Sequence, residues 1–139
     1  MKLIEQYTNH TPGYDPCLIR DRWQAALLNY STDETLESIT KLDIHYRTDE
    51  VFVLLAGHAV LIAADIDGGR VTYEAIDMQP NVIYNIPGNV WHKIAMQEDS
   101  QVLIVENSNT HLDDFAFYDL SPLQKEDLVK AVTAAETKI

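Results

Sequence analysis

A lone cysteine, Cys17, stands in 139 residues. No disulfide can therefore close within the chain, and packing alone must hold the fold. Basic residues are scarce as well: ten Lys and Arg against 22 Asp and Glu give a formal net charge of -12. A surface of that sign repels nucleic acid and anionic membranes, which argues against both as main partners. Long apolar runs are missing too. The longest, Val51 to Ala64, is broken by Gly57 and His58 and falls short of a bilayer span. The opening Met-Lys-Leu-Ile-Glu-Gln lacks the apolar stretch of a signal peptide, so a cytoplasmic location is expected. Internal repeats and low-complexity segments are absent.

What is present is the composition of an ordinary globular protein, 46% hydrophobic and 9% aromatic. The length predicts one domain, 1–139, able to bury a core without staples. Short β-type runs separated by turn residues dominate the chain. Strands are expected at Trp23 to Tyr30, Thr40 to Tyr46, Val51 to Leu55, His58 to Ala63, Val71 to Ala75, Val82 to Ile86, Trp91 to Met96 and Gln101 to Glu106. About eight strands suit a jelly roll. Between two of them, Asp65-Ile66-Asp67-Gly68-Gly69-Arg70 carries the Asp-Gly and Gly-Gly dipeptides of a tight hairpin. A calcium loop would need a ligand where Gly69 stands and a Glu near Ala75, so a plain turn is expected. Ser121-Pro122 predicts an N-cap followed by proline in the first helical turn. The helix would run to about Lys138, with Leu123, Leu128, Val132 and Ala135 toward the barrel or a second subunit.

The chemistry concentrates in two segments, Asp43 to Gly57 and Asn81 to His92. Side chains two apart on a strand share a face, so Asp43 and His45 point the same way, followed by Arg47 if the strand persists. Glu50, Phe52 and Leu54 likewise share a face. His92 would enter from a third strand through the Pro87-Gly88-Asn89 turn. If those faces are interior, two imidazoles and one or two carboxylates converge in an apolar barrel, a donor set for Zn(II), Fe(II), Mn(II) or Ni(II). His10, His58 and His111 have no such context and read as ordinary satisfied polar residues. Trp91, one residue out of phase with His92, is expected to pack outside the barrel.

The spacing resembles the two motifs of the cupin family. Asp43, His45, Glu50 and Gly57 fit H-x-H-x4-E-x6-G with Asp43 at the first His. Asn81, Pro87, Asn89 and His92 fit G-x5-P-x-G-x2-H with Asn at both glycine positions. Asn tolerates the left-handed backbone better than most residues, which makes the exchange physically reasonable. The resemblance implies an all-β fold, a cupin-type jelly-roll β-barrel over about 20–118 with a C-terminal α-helix over about 121–138. It also implies metal ligation by His45, Glu50 and His92. Asp43 in place of the first His implies an altered metal set, a weaker site, or a metal-free pocket in which Asp43 orients His45. A narrower resemblance is to ureidoglycolate lyases, over Asp43-Ile44-His45 with Glu50 and over Asn85 to His92. Trp23 to Tyr30, His45 to Leu55 and Val102 to Asn107 are similar to strands of a group of small bacterial cupins.

Two functions are therefore expected to compete. One is a metal-dependent lyase, isomerase or oxygenase for a small polar or anionic metabolite, with Glu50 or Asp43 as general base. The other is a metal-free binding or sensing module, its pocket shaped by Phe52, Tyr84, Trp91 and Met96. Arg47 would hold an anionic substrate, pair with Asp49 or Glu50, or lie in solvent. Because edge strands of an open jelly roll are commonly covered by a partner, a homodimer is the expected state.

Overall fold

The computed structural model describes residues 2–137. Its strands are β1 (Gly13–Ile19), β2 (Trp23–Asn29), β3 (Lys41–Ile44), β4 (Glu50–Ala56), β5 (Ala59–Asp67), β6 (Arg70–Asp77), β7 (Tyr84–Ile86), β8 (Trp91–Met96), β9 (Gln101–Asn107) and β10 (Ala116–Asp119). A short helix, α1 (Thr110–Asp113), precedes β10, and the long helix α2 (Pro122–Glu136) follows it. The strands form two antiparallel sheets ordered β1-β2-β9-β4-β7 and β10-β3-β8-β5-β6.

Alternation decides which residues meet between the sheets. On β4, Glu50, Phe52 and Leu54 are buried, and on β9 the buried set is Val102, Ile104 and Glu106. From the other sheet His92, Ile94 and Met96 of β8 face them. A second apolar layer lies on the opposite face of the β8 sheet, where Leu42, Val60, Ile62 and Ala95 pack against Leu128, Val132 and Ala135 of α2. The start of β5 is therefore buried on both sides, which explains why Ala59 to Ile62 reads as an unbroken apolar run. Trp91 belongs to this outer layer and meets Tyr118 edge to face at 5.9 Å.

The α2 start follows from its sequence. Ser121 Oγ accepts from the Gln124 amide, and Gln124 Oε1 accepts from the Ser121 amide at 2.8 Å, a capping box with Pro122 behind it. Leu123 departs from expectation: in the first turn of α2 it is 66% exposed, while Leu128, Val132 and Ala135 are the buried residues of the helix. The expected helix end at Lys138 lies outside the described residues.

Two strands escape the sequence reading. The first, β1, carries Asp15 and Pro16, and its register with β2 shifts between Asp15 and Leu18. Proline is tolerated there because β1 is an edge strand. The second, β10, is four residues long and pairs with β3 alone. The barrel thus starts near Gly13 rather than near 20. Expected strands at Thr40 to Tyr46 and Val82 to Ile86 shorten to Lys41–Ile44 and Tyr84–Ile86.

Backbone demands at the motif positions are clear. Asn81 and Asn89, standing where the pattern has glycine, both adopt left-handed backbone, with φ of 66° and 67°. Gly68 and Gly69 do the same in the β5–β6 hairpin, a plain turn closed by the Asp67–Arg70 pair. Gly57 joins β4 to β5 at φ 78°, and a Cβ there would lie 2.4 Å from Ser100 Oγ and 2.8 Å from the Asp99 carbonyl oxygen. Gly57→Ala should therefore destabilise the protein by about 2–4 kcal/mol, combining backbone strain with a steric clash. Urea unfolding would register this as a lower midpoint at unchanged slope; an unaltered midpoint would mean that the turn relaxes freely.

Candidate metal centre

Three strands deliver the central donors. Glu50 opens β4 on its inward phase, His92 follows the Pro87-Gly88-Asn89 turn on β8, and Asp43 sits directly across from His92 in the β3–β8 ladder. His45 lies just past the end of β3. Glu50 Oε1 is 2.8 Å from His92 Nε2 and 3.3 Å from His45 Nε2. One donor atom from each of the three residues falls within 4.8 Å of the others. Glu50 and His92 are buried, at 6% and 5% exposure.

The far sides of both imidazoles are occupied. His45 Nδ1 lies 2.6 Å from the Asp114 carbonyl oxygen, and His92 Nδ1 lies 3.0 Å from that of Val90. A carbonyl can only accept, so each Nδ1 carries a hydrogen and the Nε2 atoms are left facing Glu50. Asp114 also fixes the bend after β3, because its carboxylate accepts from the Tyr46 and Arg47 amides at 2.9 and 3.0 Å. Burial opposes ionisation of Asp114, but those two amides and the Arg47 charge hold it below the usual carboxylate range.

The electrostatics are tightly linked. Burial pulls both imidazoles toward the neutral form, yet the Glu50 carboxylate outweighs it, lifting His45 to about 9 and raising His92. Burial likewise disfavours the Glu50 anion, and the two imidazoles more than offset that. Glu106, inward on β9, is raised by burial and by the Glu50 charge. Its Oε1 accepts from the Tyr14 hydroxyl at 2.8 Å and from Gln24 Nε2 at 3.2 Å, while its Oε2 sits 4.0 Å from His45 Nε2. Three buried side-chain oxygens among the described residues have no hydrogen-bond partner: Asp43 Oδ1, Glu50 Oε1 and Glu106 Oε2. All three residues line one cavity of about 240 Å³.

Of the residues singled out in the sequence, Asp43, His45, Glu50, Phe52 and His92 line this cavity together, with Leu28, Ile94 and Ile104 as apolar wall. Arg47, Tyr84 and Met96 do not. Arg47 points out of the barrel because β3 has already ended, and its guanidinium is held by the Asp113 carbonyl and carboxylate at 3.1 and 3.2 Å. Tyr84 lies on the outermost strand, to one side of Phe52, and its hydroxyl accepts from the Gln79 amide at 2.8 Å. Met96 shares the phase of His92 but is four residues further on, about 13 Å along the strand, and fills the core instead.

The sequence reading missed other cavity residues. Glu106 is in phase with Val102 and Ile104, and an acidic residue on that inward phase was the available signal. Tyr14 belongs to the strand that Pro16 concealed. His111, taken as an ordinary histidine, lines the cavity with its Nδ1 3.1 Å from Gln24 Nε2. Lys93 and Glu34 also line it, beside the β3–β8 ladder where a single Cα pair is made. Lys93 Nζ donates to Asp43 Oδ2 at 3.1 Å.

No protein-family model matches the chain. Among solved structures, a cupin superfamily protein from Desulfitobacterium hafniense superposes with TM-score 0.52 at 19% identity, covering 76% of this chain and 84% of that one. The chain has the cupin fold. KdgF from Halomonas sp. gives TM-score 0.51 at 15% identity, covering 76% of this chain and 89% of that one. In sequence, the chain is similar to acireductone dioxygenase of Bacillus subtilis, 31% identical over 77 residues, and to that of Exiguobacterium sibiricum, 33% identical over 73. The matches take in 55% and 52% of this chain but 41% and 38% of those enzymes, so it spans less than half the length of the curated relatives.

Asp114 ties the cavity to the loop before β10 through three contacts, so its loss tests whether His45 needs that support. Asp114→Ala should cost about 1–3 kcal/mol from two abandoned amide donors. The variant keeps the backbone carbonyl that accepts from His45 Nδ1, so any metal held through His45 should weaken only as far as the bend after β3 loosens, by less than about tenfold. Calorimetric titration alongside thermal melting checks both, and intact affinity in a destabilised variant would confine Asp114 to a folding role.

Proposed function

We propose that this cupin is an enzyme that uses a divalent metal held by His45, Glu50 and His92 to act on a small polar metabolite. The observation that carries this is the set of partnerless buried oxygens gathered in one cavity, next to two imidazoles whose Nε2 atoms face a carboxylate rather than a donor. Buried polar atoms are otherwise almost always paired. A cation between these atoms would satisfy them together, and the donor set of two imidazoles and a carboxylate fits Zn(II), Fe(II), Mn(II) or Ni(II).

A bound divalent cation would supply a Lewis acid for a carbonyl or carboxylate oxygen of the substrate. The chain's own residues supply the rest. Phe52, Ile94 and Ile104 exclude water from one side. Lys93, the cationic side chain in the lining, is placed to meet an anionic or enolic oxygen, one of the three roles the sequence leaves open for Arg47. Asp43 has one oxygen committed to Lys93 and one free, so it can accept a proton as a general base. A cavity of about 240 Å³ suits a ligand smaller than drug-sized molecules, whose sites begin near about 300 Å³.

On the likeness to acireductone dioxygenases we put an oxygenase reaction first among the candidate chemistries, ahead of the lyase reaction suggested by the resemblance to ureidoglycolate lyases. No helix among the described residues is long and apolar enough to cross a membrane. Our proposal retains a cytoplasmic homodimer, supported by the open edge of β10 and the exposed Phe115 and Phe117 beside it.

A metal-free binding module is the second possibility. What favours it is the lifted basicity of His45 and His92, which lets two imidazolium ions neutralise Glu50 with no metal present. Elemental analysis of protein purified without added metal or chelator separates the two. Near-stoichiometric metal that disappears in His45→Ala and His92→Ala is expected, with both variants still folded; metal retained in His92→Ala would remove the proposed ligand set. Protein that neither carries nor takes up any of the four metals would leave the binding module standing. Metal uptake by the metal-free protein should also release protons, about one to two per ion at pH 7, since the imidazoles must lose theirs to ligate. Affinity should accordingly rise with pH until His45 is fully deprotonated above about 9. A pH-independent affinity would show that the imidazoles are not the ligands.

A further inference from the structure

We infer that Glu106, on a strand outside both motif segments, is a fourth ligand of the metal site and fills the place that motif spacing gives to Asp43. This rests on the metal reading above.

Glu106 is 6% exposed, and its Oε2 is buried without a donor. The carboxylate is not free to turn that oxygen elsewhere. Tyr14 and Gln24 both donate to Oε1, and Gln24, fully buried, is itself fixed by the Asn109 amide donating to its Oε1 at 2.8 Å. Oε2 is therefore aimed at the cavity, 4.0 Å from His45 Nε2, and the Glu50 carboxylate lines the same cavity. Two carboxylates brought this close repel unless one proton or one cation lies between them.

Spacing agrees. Donor atoms about 2.1 Å from one ion lie about 3.0–4.2 Å from each other in tetrahedral or octahedral arrangements. The 3.3 Å from His45 Nε2 to Glu50 Oε1 is near the tetrahedral separation, the 4.0 Å from His45 Nε2 to Glu106 Oε2 is near that of opposite ligands in an octahedron, and the 2.8 Å from His92 Nε2 to Glu50 Oε1 would open slightly around an ion. Asp43 is placed differently. One of its oxygens is taken by Lys93 at 3.1 Å; the group of donor atoms that converges within 4.8 Å is His45, Glu50 and His92, and Glu106 approaches it through His45. The position left by the missing histidine is thus answered from β9, by a residue in phase with the core positions Val102 and Ile104. Two carboxylates and two imidazoles make a harder donor set than three imidazoles and one carboxylate, and they cancel the charge of a dication.

Calorimetric titration of metal-free protein with Mn(II) and with Co(II) tests the assignment in wild type, Glu106→Gln, Glu106→Asp and Asp43→Asn. Losing an outer-sphere partner already costs about 10–100-fold in affinity, so Glu106→Gln should lose about 100-fold or more, with Asp43→Asn within about threefold of wild type. Glu106→Asp, which keeps the charge but withdraws the oxygen by one methylene, should behave like Glu106→Gln, and it decides the matter if the glutamine variant fails to fold. The visible absorption of the Co(II) form should change intensity in both Glu106 variants, a signature of altered coordination that a merely structural residue would not move. Wild-type affinity and spectrum in either folded Glu106 variant, or the large loss appearing in Asp43→Asn, would overturn the inference while leaving the three-residue site intact. Wild-type protein that binds neither ion would overturn it together with the proposed function.

Discussion

The constraint on which the rest depends is a carboxylate, Glu50, buried at the meeting of two imidazoles, its Oε1 2.8 Å from His92 Nε2 and 3.3 Å from His45 Nε2. An ionised carboxylate removed from water costs far more than a typical hydrogen bond returns, so something positive must stand against it. In the metal-free chain that role falls to protons on His45 and His92, and it is their attraction that holds Glu50 below its ordinary range despite burial. Exchange of those protons for one cation leaves the carboxylate satisfied and the imidazoles neutral. The barrel tolerates the cluster because either partner, proton or cation, keeps it near electrical balance.

Placement of that cluster follows from two periodicities at once. Strand alternation puts Glu50, His92 and Glu106 between the sheets, while the same alternation puts Leu42, Val60 and Ala95 on the outside, under α2. The helix therefore stabilises the β8 sheet from behind without approaching the cavity. The loop before β10 completes the arrangement, since Asp114 both bends the chain after β3 and receives the His45 hydrogen.

Much of this was legible in the chain. The cupin fold, most strands, the capped helix and the grouping of Asp43, His45, Glu50, Phe52 and His92 follow from alternation and motif spacing. The left-handed Asn81 and Asn89 follow from the turn chemistry. What could not be read depended on where strands stop and which strands neighbour one another. Arg47 leaves the cavity because β3 ends at Ile44, and a boundary three residues later would have kept it in phase with His45. Tyr84 and Met96 have plausible phases, but one is on an edge strand and the other too far along β8. Lys93 alternates with His92 and its ammonium nonetheless reaches Asp43, since a long flexible stem is not bound by the phase of its Cα. The network through Tyr14, Gln24 and Glu106 joins residues up to 92 positions apart in sequence, a proximity no local pattern encodes.

Charge balance in the cavity then bears on what can enter it. Glu34, Asp43, Glu50 and Glu106 bring four carboxylates to the lining, against Lys93 and two imidazoles. With the imidazoles neutral and a dication in place, the carboxylates and Lys93 leave the site close to neutral overall. A strongly anionic substrate would find little net attraction there. A neutral or singly charged molecule with adjacent oxygens would do better, because one oxygen can approach the metal position while another meets Lys93. The acidity that sets this chain against nucleic acids on its outer surface thus recurs inside the barrel, where it selects for small ligands rich in oxygen and poor in charge.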